Sequence, residues 1–207
     1  MTKKQLLEQL TAKMEADTTL PLISKPEDII PGFGNPHAEI VFIGEAGGYH
    51  ESIQRKPFVG MAGKLLDHML EKCEVNREDV YITNMVKTRP PENRDPTPDE
   101  LASYSEYLNQ ELDIIKPEVI VTLGRFSMGK FLPGVKISSV HGRHYPLSLR
   151  GFAVTIVPMY HPAAALRNSS IKSAMVDDFV KFKTMLKIRE NTKPRGEQLN
   201  FLEGTQN

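Results

Sequence analysis

Four short, largely apolar runs predict buried β-strands at residues 38–43, 80–83, 117–123 and 152–157. Continuous apolar runs of this length are typical of parallel strands that are covered on both faces. Helical spacing of apolar residues and helix-start signals predict helices at residues 3–14, 63–73, 98–115, 125–131 and 171–186. Because strands and helices alternate, we predict an α/β fold: a three-layer αβα sandwich with a central, mostly parallel four-stranded sheet.

Two proline-rich segments, residues 21–36 and 87–98, interrupt this pattern. Their prolines disfavour regular structure, so we predict long irregular loops there. Neither segment divides the chain into separate units, and no internal repeat is present. We therefore predict a single domain over residues 1–188. Residues 189–207 lose the periodicity, which predicts a flexible C-terminal tail.

Chemically useful residues follow the predicted strands. Glu45 comes after the first strand, Asn84 after the second, Gly124 after the third and His161 after the fourth. Carboxyl ends of parallel strands lie at one edge of a sheet, so these loops are expected to converge on one cleft. A second glycine-rich turn after the first strand adds the ring of Phe58.

Together, these side chains favour the cleavage of a bond between a pyrimidine-like base and a sugar. Asn84 offers a paired donor and acceptor for the edge of a planar heterocycle, and Phe58 offers a stacking surface. His161 can donate a hydrogen bond to a ring oxygen that becomes negative, and the Glu45 carboxylate can orient a water molecule. Each residue also has a structural interpretation as a turn residue, core anchor, cap or buried histidine. The convergence of all four favours function.

The composition limits the class of protein. The 207 residues hold 26 Lys and Arg against 26 Asp and Glu, which argues against a strongly basic DNA-coating protein. Residues 141–195 are locally basic, which fits either a phosphate-facing surface or solvated helices. No apolar run approaches the roughly 18 residues of a membrane span, and no secretory signal is recognisable, so we expect no membrane contact. One cysteine, Cys73, allows no internal disulfide, which favours the cytoplasm.

Other site chemistry has weaker support. The glycines after the first strand match neither a phosphate-binding loop nor the dinucleotide fingerprint. Among the histidines only His141 and His144 lie close together, in a predicted loop, so no metal is implied. Cys73 lies on an apolar helix face without an evident base, which predicts a buried, unreactive thiol.

Five motifs occur in order within about residues 20–187: Gly44-Glu45-Ala46, Pro57-Phe58-Val59-Gly60-x-Ala62-Gly63-x-Leu65-Leu66, Tyr81-Ile82-Thr83-Asn84, Arg89-Pro90-Pro91-x-Asn93-Arg94-Asp95-Pro96-Thr97-Pro98 and His161-Pro162. In order and spacing they resemble the uracil-DNA glycosylase superfamily, and most closely its family four, first known from thermophiles. The resemblance implies that uracil is flipped into a pocket and excised from DNA by hydrolysis of its N-glycosidic bond.

The resemblance also implies a role for each site residue. Glu45 positions the attacking water, Phe58 stacks on the base and Asn84 reads its polar edge. His161 stabilises negative charge on the departing uracil oxygen, so Glu45, Asn84 and His161 are the implied catalytic residues. The implied uracil contacts are Glu45, Ala46, Gly47, Phe58, Asn84 and His161.

DNA contacts are implied in the same way. The loop from His161 to Arg167 resembles the segment that enters the duplex, and Leu166 is the candidate wedge. Phosphates would meet basic residues, so affinity should fall as salt rises. These residues are Lys87, Arg89, Arg94 and Arg167. The implied substrate is uracil-containing DNA, single- or double-stranded, and free uracil is the product.

The chain departs from the family pattern at two places. Family members usually hold an iron–sulfur cluster on four cysteines, and the matching positions here are Asp17, Leu20, Thr88 and Tyr104. None supplies a thiolate, so we predict no cluster, with Leu20 and Tyr104 filling the space. Gly47 stands where the family has proline, which loosens the turn that carries Glu45.

The predicted function is that of a monofunctional uracil-DNA glycosylase in base-excision repair, a cytoplasmic monomer without metal or cofactor. The two departures leave open a non-catalytic protein of the same fold that binds uracil or abasic DNA. A nucleoside hydrolase or nucleotide-binding enzyme is a third hypothesis. It is disfavoured because the basic, proline-rich 87–98 loop suits a polymer backbone.

Overall fold

A six-stranded sheet forms the centre of the fold. The structure is a computed structural model that describes residues 1–192, and its strands run across the sheet in the order β1-β3-β2-β4-β6-β5. The four inner strands are parallel, whereas β1 and β5 join the edges in the antiparallel sense. The predicted mostly parallel sheet is confirmed. The strands are β1 (Phe33–Gly34), β2 (Ile40–Gly44), β3 (Tyr81–Asn84), β4 (Val119–Leu123), β5 (Tyr145–Leu149) and β6 (Phe152–Met159).

Helices cover both faces of this sheet. Over the described part of the chain they are α1 (Lys3–Ala16), α2 (Tyr49–Gln54), α3 (Met61–Lys72), α4 (Pro98–Ile115), α5 (Arg125–Phe131), α6 (Ile137–Val140), α7 (Pro162–Arg167) and α8 (Ser169–Thr192). Helices α3, α7 and α8 pack on one face, in a core that includes Phe42 and Phe179. Helices α4 and α5 pack on the other face, around Ile43 and Leu112. The predicted three-layer α/β class is confirmed.

The sheet has two more strands than the four predicted. Strand β1 is only two residues long, and β5 is largely exposed, so neither forms an apolar run. Both lie at an edge, where a proline such as Pro146 is tolerated because one side of the strand needs no hydrogen-bond donor. The predicted loop from His161 to Arg167 is instead helical over α7.

The predicted C-terminal tail begins too early. Helix α8 continues to Thr192, so residues 189–192 are helical. Residues 193–207, the rest of that predicted tail, lie outside the described residues. None of the helices in residues 1–192 has the length and apolar character that crossing a membrane requires.

Strand register brings the predicted site together. Gly44 at the end of β2 is paired with Asn84 at the end of β3, and Leu123 of β4 is paired with Met159 of β6. The Gly124 N–H donates to the carbonyl of Met159 at 2.8 Å, which joins the end of β4 to the end of β6. The loops that leave these four strands therefore begin side by side.

Candidate active site

A cleft of about 540 Å³ opens at the carboxyl ends of the parallel strands. The structure brings all six predicted uracil contacts into its wall, together with Arg94 and Arg167. Of the other predicted DNA contacts, Lys87, Arg89 and Leu166 are not in the wall. The six uracil contacts in the wall are Glu45, Ala46, Gly47, Phe58, Asn84 and His161.

Asn84 lines this cleft and carries an unused hydrogen-bond acceptor. The residue is 3% exposed, and its Oδ1 has no hydrogen-bond partner among residues 1–192. A buried acceptor without a partner costs free energy, so the position suits a ligand that offers an N–H group. Gly44 makes room for it, because a Cβ there would lie 2.4 Å from Asn84 Oδ1 and 2.6 Å from Phe58 Cε2. The Asn84 amide and the Phe58 ring therefore both pack against the Cα of Gly44, and a residue with a side chain at position 44 would displace them.

The backbone of Phe58 is held in an unusual conformation. Its φ of 54° lies in the left-handed region, which is costly for a residue with a side chain. Arg77 donates to the carbonyls of Pro57 at 2.9 Å and Phe58 at 3.0 Å. These bonds hold the ring against the cleft, where stacking on a planar base is possible.

Glu51, which the sequence analysis did not single out, ties the two glycine turns together. One carboxylate oxygen accepts from the N–H groups of Val59 at 3.0 Å and Gly60 at 2.8 Å. The other oxygen accepts from the Gly48 N–H at 3.2 Å. A glutamate three residues after the N-cap of a helix often accepts a hydrogen bond from the N-cap backbone N–H, as Glu51 does from Gly48, so its spacing is a sequence signal for this contact. Through Glu51 the turn after Glu45 and the Phe58 loop are held as one unit.

His161 is a neutral donor. Its Nδ1 accepts from the Ala163 N–H at 3.1 Å, so the proton of the neutral ring is on Nε2. Burial lowers the pKa of His161 to about 4, with Arg167 acting in the same direction and Glu51 opposing. The ring centroid lies 5.5 Å from that of Phe58. A base stacked on Phe58 would therefore meet an N–H donor that is not charged at pH 7.

Glu45 titrates near neutrality. Burial raises the pKa of its carboxyl group to about 7; nearby Asp95 also raises it, and Arg125 lowers it. The Glu45 carbonyl accepts from the Val86 N–H at 2.9 Å, which fixes the turn against the loop that follows β3. A half-buried carboxylate whose pKa is close to the operating pH is suited to orienting and deprotonating water.

Lys87 is not placed to contact DNA, which corrects the prediction for this residue. Its side chain is 0% exposed and forms an ion pair with Glu111 of α4. It also donates to the Thr83 hydroxyl, whose own proton goes to Glu111 at 3.0 Å. A buried ammonium is held by such partners, so no phosphate can reach it.

The remaining predicted DNA contacts lie at or near the cleft. Arg94 is engaged by Glu100 through both guanidinium nitrogens, at 2.9 and 2.6 Å, and so clamps the 87–98 loop. Arg89 and Arg167 form no ion pair within the described chain, which leaves their charges available. Leu166 is 45% exposed on α7.

The four positions of the family's iron–sulfur ligands do not fit a cluster. They hold no thiolate, and Cys73 is buried between α3 and α8, with its Sγ 3.2 Å from the Phe179 carbonyl oxygen. Leu20 and Tyr104 are buried in an apolar cluster, and the Tyr104 hydroxyl donates to the Pro21 carbonyl at 2.6 Å. No group of three potential His, Cys, Asp or Glu metal ligands occurs in residues 1–192.

The sequence is similar to those of known uracil-DNA glycosylases. The family model "Uracil DNA glycosylase superfamily" matches residues 31–183. A type-4 uracil-DNA glycosylase from Saccharolobus solfataricus is 43% identical over 86% of this chain and 83% of its own length. Type-4 enzymes of Archaeoglobus fulgidus and Thermotoga maritima are 46% and 38% identical, over 73% and 90% of this chain and 79% and 97% of theirs. With its matched motifs gathered around one cleft, the chain belongs to the uracil-DNA glycosylase superfamily.

Proposed function

We propose that this protein is a uracil-DNA glycosylase that hydrolyses the N-glycosidic bond of uracil in DNA and begins base-excision repair. The observation that carries the proposal is the buried, unpartnered Oδ1 of Asn84, a residue that lines the cleft together with Phe58, His161 and Glu45. Uracil offers a planar ring to stack, an N3–H to donate to this oxygen, and two carbonyl oxygens, O2 and O4, that can accept hydrogen bonds.

In the proposed reaction the flipped uracil stacks on Phe58. Asn84 Oδ1 accepts from uracil N3–H and its amide N–H donates to O4, which is the pairing that cytosine cannot offer. As the bond from C1′ to N1 breaks, its electron pair moves onto the ring and O2. Neutral His161 donates from Nε2 to that oxygen and stabilises the charge without giving up its proton.

Water completes the exchange at the sugar. Glu45 orients a water molecule toward C1′ and accepts its proton as the C–O bond forms. The products are an abasic sugar with a hydroxyl at C1′ and a uracil anion that is protonated on release. All groups used come from one chain.

The test is direct. A labelled oligonucleotide with one uracil is incubated with the protein and treated with alkali, and a break is expected at the uracil. Oligonucleotides with cytosine or thymine at the same place are the matched controls. Glu45→Gln should lose most of the turnover and keep DNA binding. If the wild-type protein binds the uracil strand but leaves it intact at micromolar concentration, the chain is a binding protein and not an enzyme.

We also propose that the activity needs no iron–sulfur cluster or metal. The absence of thiolates at the four ligand positions and the packing of Leu20 and Tyr104 support this. Purified protein should contain less than stoichiometric iron and keep its turnover in a chelator. Iron bound at stoichiometric amounts, with activity that is lost on its removal, would contradict the proposal.

The remaining assignments are part of the same proposal. We take residues 1–188 to be one domain, because a single sheet connects the elements of both halves. We take the protein to act as a monomer in the cytoplasm, where a single buried thiol stays reduced. Light scattering in solution would test whether the protein is a monomer, and fractionation of cells would test whether it is cytoplasmic.

A further inference from the structure

An exposed tyrosine stands at the rim of the cleft. Tyr49 is the first residue of α2 and directly follows Gly48, which is part of the cleft wall. The residue is 56% exposed, although a tyrosine ring has a large apolar surface. No role in the reaction proposed above uses this ring.

Arg89 reaches the same ring from the 87–98 loop. Its guanidinium carbon lies 5.1 Å from the centroid of the Tyr49 ring, and its Nε donates to Asn93 Oδ1 at 2.8 Å. Arg89 is followed by Pro90, and both Pro90 and Asn93 line the cleft. The Tyr49–Arg89 pair therefore connects two segments of the cleft wall, since each residue is directly next to a wall residue in the sequence.

The charge of Arg89 is not matched by a carboxylate. In the described residues Arg94 is paired with Glu100 and Arg125 with Asp95, but Arg89 has no such partner. A cation stacked on an aromatic ring next to an open face is the combination that binds single-stranded nucleic acid. The ring offers a stacking surface, and the guanidinium group offers donors to a phosphate.

We propose that Tyr49 and Arg89 form a platform for the nucleotide next to the flipped uracil, with its base on the tyrosine ring and its phosphate at the guanidinium group. This inference rests on the proposed function, because a strand whose uracil occupies the cleft must leave it across the rim. The neighbouring base is free to stack in a single strand but is already stacked in a duplex. The platform therefore favours single-stranded substrates of any sequence, since every base has a π face.

The test compares variants at position 49 on single-stranded and duplex oligonucleotides of the same sequence. Tyr49→Ala should raise KM for the single strand about 5- to 150-fold and leave kcat unchanged, because a base-stacking contact is lost equally from ground and transition states. Tyr49→Phe should keep the wild-type KM. Tyr49→Leu, which keeps apolar area without a ring, should behave like the alanine variant. Val180→Ala on α8, at a residue that is 61% exposed, controls for the loss of an exposed apolar side chain.

A second measurement locates the contacted base. Abasic spacers replace the bases on either side of the uracil, one position at a time. One spacer position should raise the single-strand KM of the wild-type protein and have no further effect in Tyr49→Ala, as expected when both changes remove one contact.

Two results would overturn the platform: a single-strand KM in Tyr49→Ala that equals the wild-type value, or spacer effects that simply add to that of the variant. The first result would assign the exposed ring to another partner, such as a protein, and the second would place it against a part of the strand other than the neighbouring base. If the wild-type protein shows no turnover, the proposed function fails separately. The platform is then tested by the dissociation constants of the same oligonucleotides and variants.

Discussion

The backbone N–H of Gly47 donates to the carbonyl of Thr88 at 3.3 Å and so joins the turn that carries Glu45 to the 87–98 loop. Proline, which the family pattern has at this position, could not make that bond because it lacks the N–H. The space is also tight: a Cβ on residue 47 would lie 2.2 Å from Ile30 Cδ1. Gly47 is therefore fitted to its neighbours in this chain.

Gly47→Ala should lower both kcat and the free energy of unfolding, the latter by about 1–3 kcal/mol, because Ile30 must move to admit the methyl group. Ile30→Val removes the Cδ1 atom, so the double variant Gly47→Ala/Ile30→Val should regain most of the activity. Urea unfolding and the uracil-release assay measure the two effects. A Gly47→Ala protein that matches the wild type would refute the tight fit.

Glu51→Gln should weaken the link between the two glycine turns. The amide keeps one accepting oxygen, but its NH₂ group would face a backbone N–H, which costs about 1–3 kcal/mol for an unmet donor. We expect a lower melting temperature and a lower kcat/KM. The exposed Glu78→Gln, on the loop before β3, is the charge-matched control, and equal behaviour of the two variants would contradict this role for Glu51.

The pH profile should report Glu45 and not His161. With the pKa of Glu45 raised to about 7 and that of His161 lowered to about 4, kcat/KM should rise with pH to about 7 and then level off. Protonation of His161 should appear only in strongly acidic buffer. A profile that is flat from pH 5.5 to 8 would mean that ionised Glu45 is not required.

The same raised pKa makes a prediction about stability. The native state holds the Glu45 proton at pH values where the unfolded chain has lost it, so the contribution of this group to stability is lost as pH rises from about 4.5 to 7. Glu45→Gln removes that loss. The melting temperature of the variant, relative to wild type, should therefore increase between pH 5 and pH 8, as calorimetry can show.

Removing the ammonium of Lys87 should be severe because the Glu111 carboxylate stays buried. Lys87→Met is expected to cost about 3–5 kcal/mol of unfolding free energy. Lys87→Met/Glu111→Gln leaves no charge and keeps an acceptor for Thr83, so most of the loss should be recovered. If the double variant is as unstable as the single one, the ion pair is not the source of the effect.

The arginines at the cleft should differ in their response to salt. Arg89→Gln and Arg167→Gln should each reduce the slope of log affinity against log salt by about one, because each removes one phosphate contact. Arg94→Gln should leave the slope unchanged and lower the melting temperature, since its guanidinium group is bound to Glu100. A lower slope for Arg94→Gln would place that residue on the phosphates after all.

The inner strands and the convergence of Asn84 and His161 could be predicted because buried parallel strands are apolar runs and their ends share one edge. The edge strands could not, since a two-residue pairing such as Phe33–Gly34 has no period. The prediction that Lys87 contacts DNA is wrong for a different reason. A lysine in a polar, proline-rich loop looks solvent-exposed, and its partner Glu111 lies 24 positions away on another element.

The unpartnered oxygen of Asn84 also bears on how fast the protein can search DNA. A base that offers no N–H at this point leaves the oxygen as it is in the free protein, and nothing at this atom delays the return of that base to the duplex. In the proposed reaction uracil supplies the missing hydrogen and so prolongs its own stay. Dwell times at undamaged cytosine are then short, whereas thymine carries the same N3–H as uracil and is not rejected at this atom.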